Sequence, residues 1–234
     1  MQPRRPSGVP TSGTVSILGG AGNLGFGLAA RLGLAGFSVC IGSRDAERAA
    51  EAAGRATALA PGATFTGDTN ARAVAKADRL VVITIPFASQ ASTLKSVVDH
   101  WRPGQVALDA TVPLATAVGG PPTQTLHPWH GSAAEQARAA IPATVGVASG
   151  LHTVSAASLL DLRHPLDQDT LVCGDDPDAK AVVSETLRCI DGLRVVDAGR
   201  LSMSRLAEGI TPLLIGINIR HKAHAGLRLT HLDA

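Results

Sequence analysis

Ile17-Leu18-Gly19-Gly20-Ala21-Gly22-Asn23-Leu24-Gly25 is a glycine-rich turn between a short apolar run at 14–18 and an Ala/Leu-rich segment that follows. Gly20, Gly22 and Gly25 carry the G-x-G-x-x-G spacing of a dinucleotide-binding βαβ unit. In such a unit the first glycine permits a tight turn, the second lets main chain approach a pyrophosphate, and the third lets helix pack closely on strand. The helix that opens there aims unpaired amides, among them those of Asn23 and Leu24, and its positive dipole end at the phosphates.

A second strand is expected at 37–41, and it runs into Gly42-Ser43-Arg44, where NAD-binding chains place an acid for the ribose 2′-hydroxyl. Ser43 offers a hydroxyl and Arg44 a planar, bidentate donor, both suited to a phosphate. Arg48 follows one helical turn later and can close over the same group. This pattern predicts NADP. The competing reading has Ser43 and Asp45 capping the next helix while the arginines are merely solvated.

Short apolar runs at 63–66, 79–85, 105–110 and 144–148 alternate with helical stretches, which predicts an α/β fold: a Rossmann-like, doubly wound, mostly parallel sheet. The near-continuous row from Leu80 to Ile85 marks a strand covered on both faces. From Gly150 onward the texture changes to a strand at 170–173, a helix at 177–190, a strand at 193–196 and a long apolar helix at 204–225 interrupted by Pro212 and Gly216. We expect a disordered leader over 1–12, a nucleotide-binding domain over 13–149, and a small C-terminal α/β lobe over 150–234 that completes the pocket.

With 234 residues, 45% of them hydrophobic, the chain can bury a full core. A net charge of +2, scattered along the chain, argues against nucleic acid or a membrane surface as partner. The Gly/Ala/Leu stretch at 24–36 is too short to span a bilayer. Cys40, Cys173 and Cys189 are odd in number and far apart, with neither metal-ligand spacing nor a disulfide framework, so a reducing cytoplasm is expected.

Four segments together resemble the F420-dependent NADP reductase family, which passes hydride between NADP(H) and the deazaflavin coenzyme F420. They are 18–25, Gly42-Ser43-Arg44, Ser149-Gly-Leu-His-Thr-Val154, and a tail comprising Val172-Cys-Gly-Asp-Asp176, Asp191-Gly-Leu-Arg194, Asp197-Ala-Gly199 and 201–208. The resemblance implies that Ala21 to Leu24 wrap the pyrophosphate and that Ser43, Arg44 and Arg48 hold the 2′-phosphate. It implies nucleotide contacts from Thr84, Pro86, Phe87, Ala91 and Leu114. His152 and the residues after it, through Ala156, would border the nicotinamide and the deazaflavin. Ala21 departs from the threonine common in the family, and the loop at 119–131 is longer than in some relatives.

Hydride transfer between two stacked rings, with reacting atoms about 3 to 3.5 Å apart, needs orientation and exclusion of water but no nucleophile. No catalytic triad or metal site is therefore expected. His152 would act by orientation or electrostatics, against a purely structural role. His127 and His130 read as loop residues without a metal, Asp175 and Asp176 as acids before a helix N-terminus, and Arg205 and Glu208 as an ion pair one turn apart. Arg194, Arg220 and Lys222 read as solvated charges, with the coenzyme's acidic tail as the alternative. Two other functions stay open: reduction of a different small metabolite from the same pocket, and non-catalytic NADP(H) binding. The last helix could also pair two copies into a homodimer.

Overall fold

The computed structural model describes residues 13–232, so the leader expected at 1–12 lies outside the described residues. Strands β1 (Thr14–Leu18), β2 (Ser38–Ser43), β3 (Phe65–Thr69), β4 (Leu80–Ile83), β5 (Val106–Asp109) and β6 (Gly146–Ser149) build the nucleotide-binding half. Between them lie α1 (Asn23–Leu34), α2 (Ala46–Leu59), α3 (Asn70–Lys76), α4 (Phe87–Ser96) and α5 (Ala133–Ala140). After β6 come α6 (Ala156–Leu160), β7 (Gln168–Gly174), α7 (Pro177–Arg188), β8 (Leu193–Asp197) and α8 (Ser204–His221).

All eight strands form one sheet in the order β3-β2-β1-β4-β5-β6-β7-β8. Every pairing is parallel except β6 with β7. The C-terminal part thus shares the sheet of the first: β7 and β8 extend it. The crossovers leave β1 and β4 in opposite directions, which opens a crevice at their carboxyl ends.

Strand alternation sorts the core into two layers. Val15 and Ile17 of β1 with Leu80 and Val82 of β4 pack against α1, α2, α6 and α7. Leu18, Val81 and Ile83 face the opposite way, onto α3, α4 and α5. The sheet is therefore covered on both faces, as the apolar row at 80–85 predicts. α8 is the exception. Ser204, Ala207, Glu208 and Pro212 are its buried residues, and it continues through Pro212 without a break.

Candidate active site

The glycine turn sits where β1 hands over to α1. Gly19 takes φ +74°, the left-handed conformation that glycine adopts without strain. The amide of Gly20 donates to Ile17 O at 3.2 Å and Gly42 O at 3.0 Å, and that of Gly22 to Gly19 O at 2.9 Å. The sharp bend thus belongs to Gly19, one residue before the spaced triplet. A β-carbon on Gly25 would lie 2.5 Å from Thr84 Oγ1 and 2.7 Å from Gly20 Cα, so helix and turn touch there. Thr84 donates its hydroxyl to Leu18 O at 2.9 Å and ties the ends of β1 and β4 together.

Side chains cap α2, α3, α5, α6 and α7, and α8, which continues from a turn at 201–203, lacks such a cap; at the crevice, α1 opens at Gly22 and α4 at Pro86 with none. Both bare ends follow the two strands that bound the crevice. Unsatisfied amides and the helix dipole make such an end receptive to an anion.

At the end of β2, Ser43 Oγ accepts from Asp45 N at 3.3 Å, and Asp45 caps α2 through Glu47 N and Arg48 N. The capping predicted for these two residues is therefore present, and it coexists with free arginines. Arg44 and Arg48 are exposed, and neither is ion-paired among the described residues. An open groove of about 710 Å³ runs from Ala21 along Arg48, Glu51, Gly54, Arg55 and Ala58. Arg55 lies over the Phe26 ring at 4.6 Å rather than on Glu51 four residues before it.

Further along the same edge, Phe87 opens α4 and is half-buried, Ala91 is exposed on α4, and Leu114 bridges to Thr125 after β5. His152 follows β6, and Ala156 opens α6. All the residues predicted for the site thus lie on connections leaving carboxyl ends of the strands.

The His152 segment is tightly held. Leu151 is buried at φ +68°, strained for a residue with a side chain, and its amide donates to Thr170 Oγ1 at 2.7 Å. Thr153 donates to Asp169 O and Thr211 to His152 O, each at 2.7 Å. His152 is 5% exposed, and neither of its ring nitrogens has a hydrogen-bond partner among the described residues. Burial pushes its pKa down to about 4, so the imidazole is neutral at physiological pH. Trp101 Nε1 and the Ser16 and Thr111 hydroxyls are likewise buried without a partner among the described residues.

Beneath the edge lie two buried carboxyl groups. Asp109, the last residue of β5, accepts from Gln90 Nε2 at 2.7 Å and Thr111 N at 3.0 Å. Glu208 accepts from Ala133 N at 3.0 Å and Ala134 N at 3.1 Å, so α8 supplies a cap to α5. The expected ion pair between Arg205 and Glu208 is absent among the described salt bridges: two buried amides claim the carboxyl instead. Arg194 is not solvated either. It grips the buried Asp169 with two bonds of 2.9 and 2.6 Å. Arg220 and Lys222 are exposed, as predicted.

A family model described as NADP oxidoreductase, coenzyme F420-dependent, matches residues 14–113. A curated relative from Methanothermobacter thermautotrophicus, named F420-dependent NADP reductase, is 42% identical over 222 residues, covering 93% of this chain and 95% of its own.

The chain belongs to the F420-dependent NADP reductase family.

A second F420-dependent NADP reductase, from Methanocaldococcus jannaschii, is 40% identical over 94% of this chain and 99% of its own. A solved structure from Arthrobacter sp. FB24, assigned to the same reductases, superposes with a TM-score of 0.78 at 25% identity, covering 93% of this chain and 99% of that one. Four features of this reductase chain escaped sequence reading: Gly19, Arg55, Leu151 and the cap from Glu208. Only Arg55 had a signal, its place seven residues beyond Arg48 on one helix face.

Proposed function

We propose that this protein exchanges a hydride between NADP(H) and coenzyme F420 at the carboxyl edge of its sheet. One observation carries the nucleotide half: α1 opens uncapped beside Arg44 and Arg48, two cations that no carboxylate among the described residues engages. The relatives' names support F420 as the second partner. The residues present fit both groups, a bare helix end and free arginines for a phosphorylated dinucleotide, and the unpartnered His152 ring for the polar rim of a heterocycle.

NADP(H) and the deazaflavin supply the hydride donor and acceptor carbons. The chain binds, orients and dries them. Amides of Ala21, Asn23 and Leu24 take the pyrophosphate, while those of Gly20 and Gly22 are spent within the turn and Gly25 holds it against Thr84. Ser43, Arg44 and Arg48 hold the 2′-phosphate. Thr84 and Pro86 shape the end of β4, and Phe87, Ala91 and Leu114 line the nucleotide. His152, neutral and held by its fixed backbone, backs the second pocket and orients a ring there without adding charge, with Ala156 in the same wall. Residues 13–149 thus form the NADP half, and the chain from Gly150 onward completes the second pocket.

We further infer a homodimer through α8. Leu206, Ile210, Leu213 and Ile217 recur at spacings of three and four on this helix, with Met203 just before it, and all but the half-buried Ile210 are exposed. That periodicity suits a second helix, and an isologous pair of α8 helices would cover it. Light scattering of wild type and Leu213→Glu tests it, with a dimer and a monomer expected. Among the described residues no helix is long and apolar enough to cross a membrane. Its unpaired cysteines accord with the reducing cytoplasm we propose for it.

The deciding assay is steady-state turnover of NADPH with oxidised F420. A folded protein that binds NADPH and passes no hydride to F420 overturns the proposal, and preferential reduction of another small acceptor replaces it.

A further inference from the structure

The fold buries most of the few aromatic rings it has. Among two tryptophans, four phenylalanines and no tyrosine, Phe26, Phe37 and Trp101 are in the core, and Phe65 and Phe87 are partly covered. Trp129 is the opposite case, 97% exposed.

This exposure does not come from a loose loop. The segment after β5 doubles back on itself: Leu126 N donates to Pro113 O at 2.6 Å, Ala115 N to Gln124 O at 2.9 Å, and Leu114 bridges Thr125. At its far end Gly131 N donates to Pro128 O at 2.9 Å, which places Trp129 and His130 at the two central positions of a closed turn, with Gly131 at φ +99°. The next residues, Ala133 and Ala134, are clamped by Glu208, and Gln90 of α4 donates to Ala133 O at 3.0 Å. The indole is thus presented to solvent on a braced support that connects β5 to α5, on the same edge of the sheet as the glycine turn and His152.

Charge narrows what it meets. Residues 110–134 contain no Asp, Glu, Lys or Arg, so the loop offers the indole no cation of its own, while the Glu135 carboxylate just beyond it folds back to accept from Ser132 Oγ at 2.8 Å. A braced loop with a bare indole at its tip suits a flat heteroaromatic ring that can stack on its π-face.

We propose that Trp129 is a stacking platform for the fused ring system of the second cofactor, and so sets the preference for a deazaflavin over smaller acceptors. This rests on the function proposed above. Trp129 touches the ring only when the coenzyme is bound, and the nucleotide site is untouched by it.

The test uses steady-state kinetics and intrinsic fluorescence. In a Trp101→Phe background Trp129 is the sole tryptophan, and its emission should be quenched on titration with oxidised F420, beyond the inner-filter loss of a free tryptophan derivative. Trp129→Ala should raise the KM for F420 roughly tenfold, in line with stacking on an aromatic side chain, and leave the KM for NADPH unchanged. Trp129→Phe should restore most of the loss. Because the side chain is exposed, the melting temperature should not move. Wild-type turnover with an F420 KM that Trp129→Ala leaves unaltered overturns this inference alone. So does a fall in molecular mass of the variant by light scattering, which would assign the indole to a second copy of the chain. Absence of turnover in the wild type overturns the proposed reaction and this inference with it.

Discussion

Raising the pH from about 6.5 to about 8 should weaken the folded state, because two buried carboxyl groups hold protons that the unfolded chain has already lost. Burial pushes Asp109 up to about 7, although Thr111 and Gln90 donate to it. Glu208 is pushed up to about 8 by burial against the pull of the Ala133 and Ala134 amides, and the charge of Asp109 raises it further. In the unfolded chain both groups titrate near about 4. A carboxyl whose folded pKa is raised stabilises the fold fully below its unfolded pKa, and that contribution is lost as pH climbs through the folded value. His152 works the other way. Its folded pKa is lowered to about 4, so stability from this ring is gained as pH rises and is complete by about 6.5, its unfolded value. The window above about pH 6.5 therefore isolates the carboxyls.

Across that window Asp109 loses nearly all its remaining proton and Glu208 about half, which sums to roughly 2 kcal/mol of lost stability. Urea denaturation at three pH values, followed by circular dichroism, reads it as a falling midpoint at constant slope. Glu208→Gln removes the larger share and should flatten the dependence by more than half, whatever it costs in absolute stability. A midpoint that holds or rises toward pH 8, or an unchanged pH dependence in Glu208→Gln, refutes the assignment of neutral carboxyls beneath the site.

Three further outcomes follow from other parts of the molecule. Arg44→Ala should weaken NADP binding by about 1.5 to 3 kcal/mol, a charge-assisted contact, and leave NAD binding and the melting temperature unchanged, since the side chain is exposed; calorimetric titration with both nucleotides checks this. Gly25→Ala puts a methyl against Gly20 Cα and Thr84 Oγ1, so it should cost about 1 to 3 kcal/mol in stability by overpacking and lower affinity for NADP and NAD alike. Arg31 donates to the carbonyls of Ser158, Leu159, Asp161 and His164 and fastens α1 to the segment after His152. Arg31→Met should therefore destabilise the protein by several kcal/mol, at about 1 to 3 kcal/mol per stranded buried acceptor, as measured by thermal unfolding.

How far the chain could be read without coordinates follows from the range of the interactions. The glycine turn, the Ser43-Arg44 pair and the apolar row at 80–85 are local signals, so the parallel sheet was legible from them, and the nucleotide edge we propose rests on the first two. Gly19 was not separable from Gly20, because adjacent glycines look alike until one adopts a positive φ. The extension of the sheet by β7 rests on Ala148 opposite Gly174 and Ser149 opposite Cys173, a short antiparallel contact that no sequence period announces. Glu208 shows the limit most clearly. Arg205 stands at the right helical spacing for an ion pair, yet an exposed pair is worth less than about 1 kcal/mol, whereas two buried amides left without an acceptor cost about 1 to 3 kcal/mol each. Those amides lie 74 and 75 residues away, so the stronger interaction was the one without a local trace. The same holds for His152. Its place after β6 is a local signal, whereas the hydrogen bonds at Leu151, Thr153 and Thr211 that fix the backbone around it come from distant segments, and no group among the described residues engages its ring. Three hydroxyl bonds and a strained leucine thus fix the backbone on both sides of one buried imidazole, through partners 16 to 59 residues away that no local period announces.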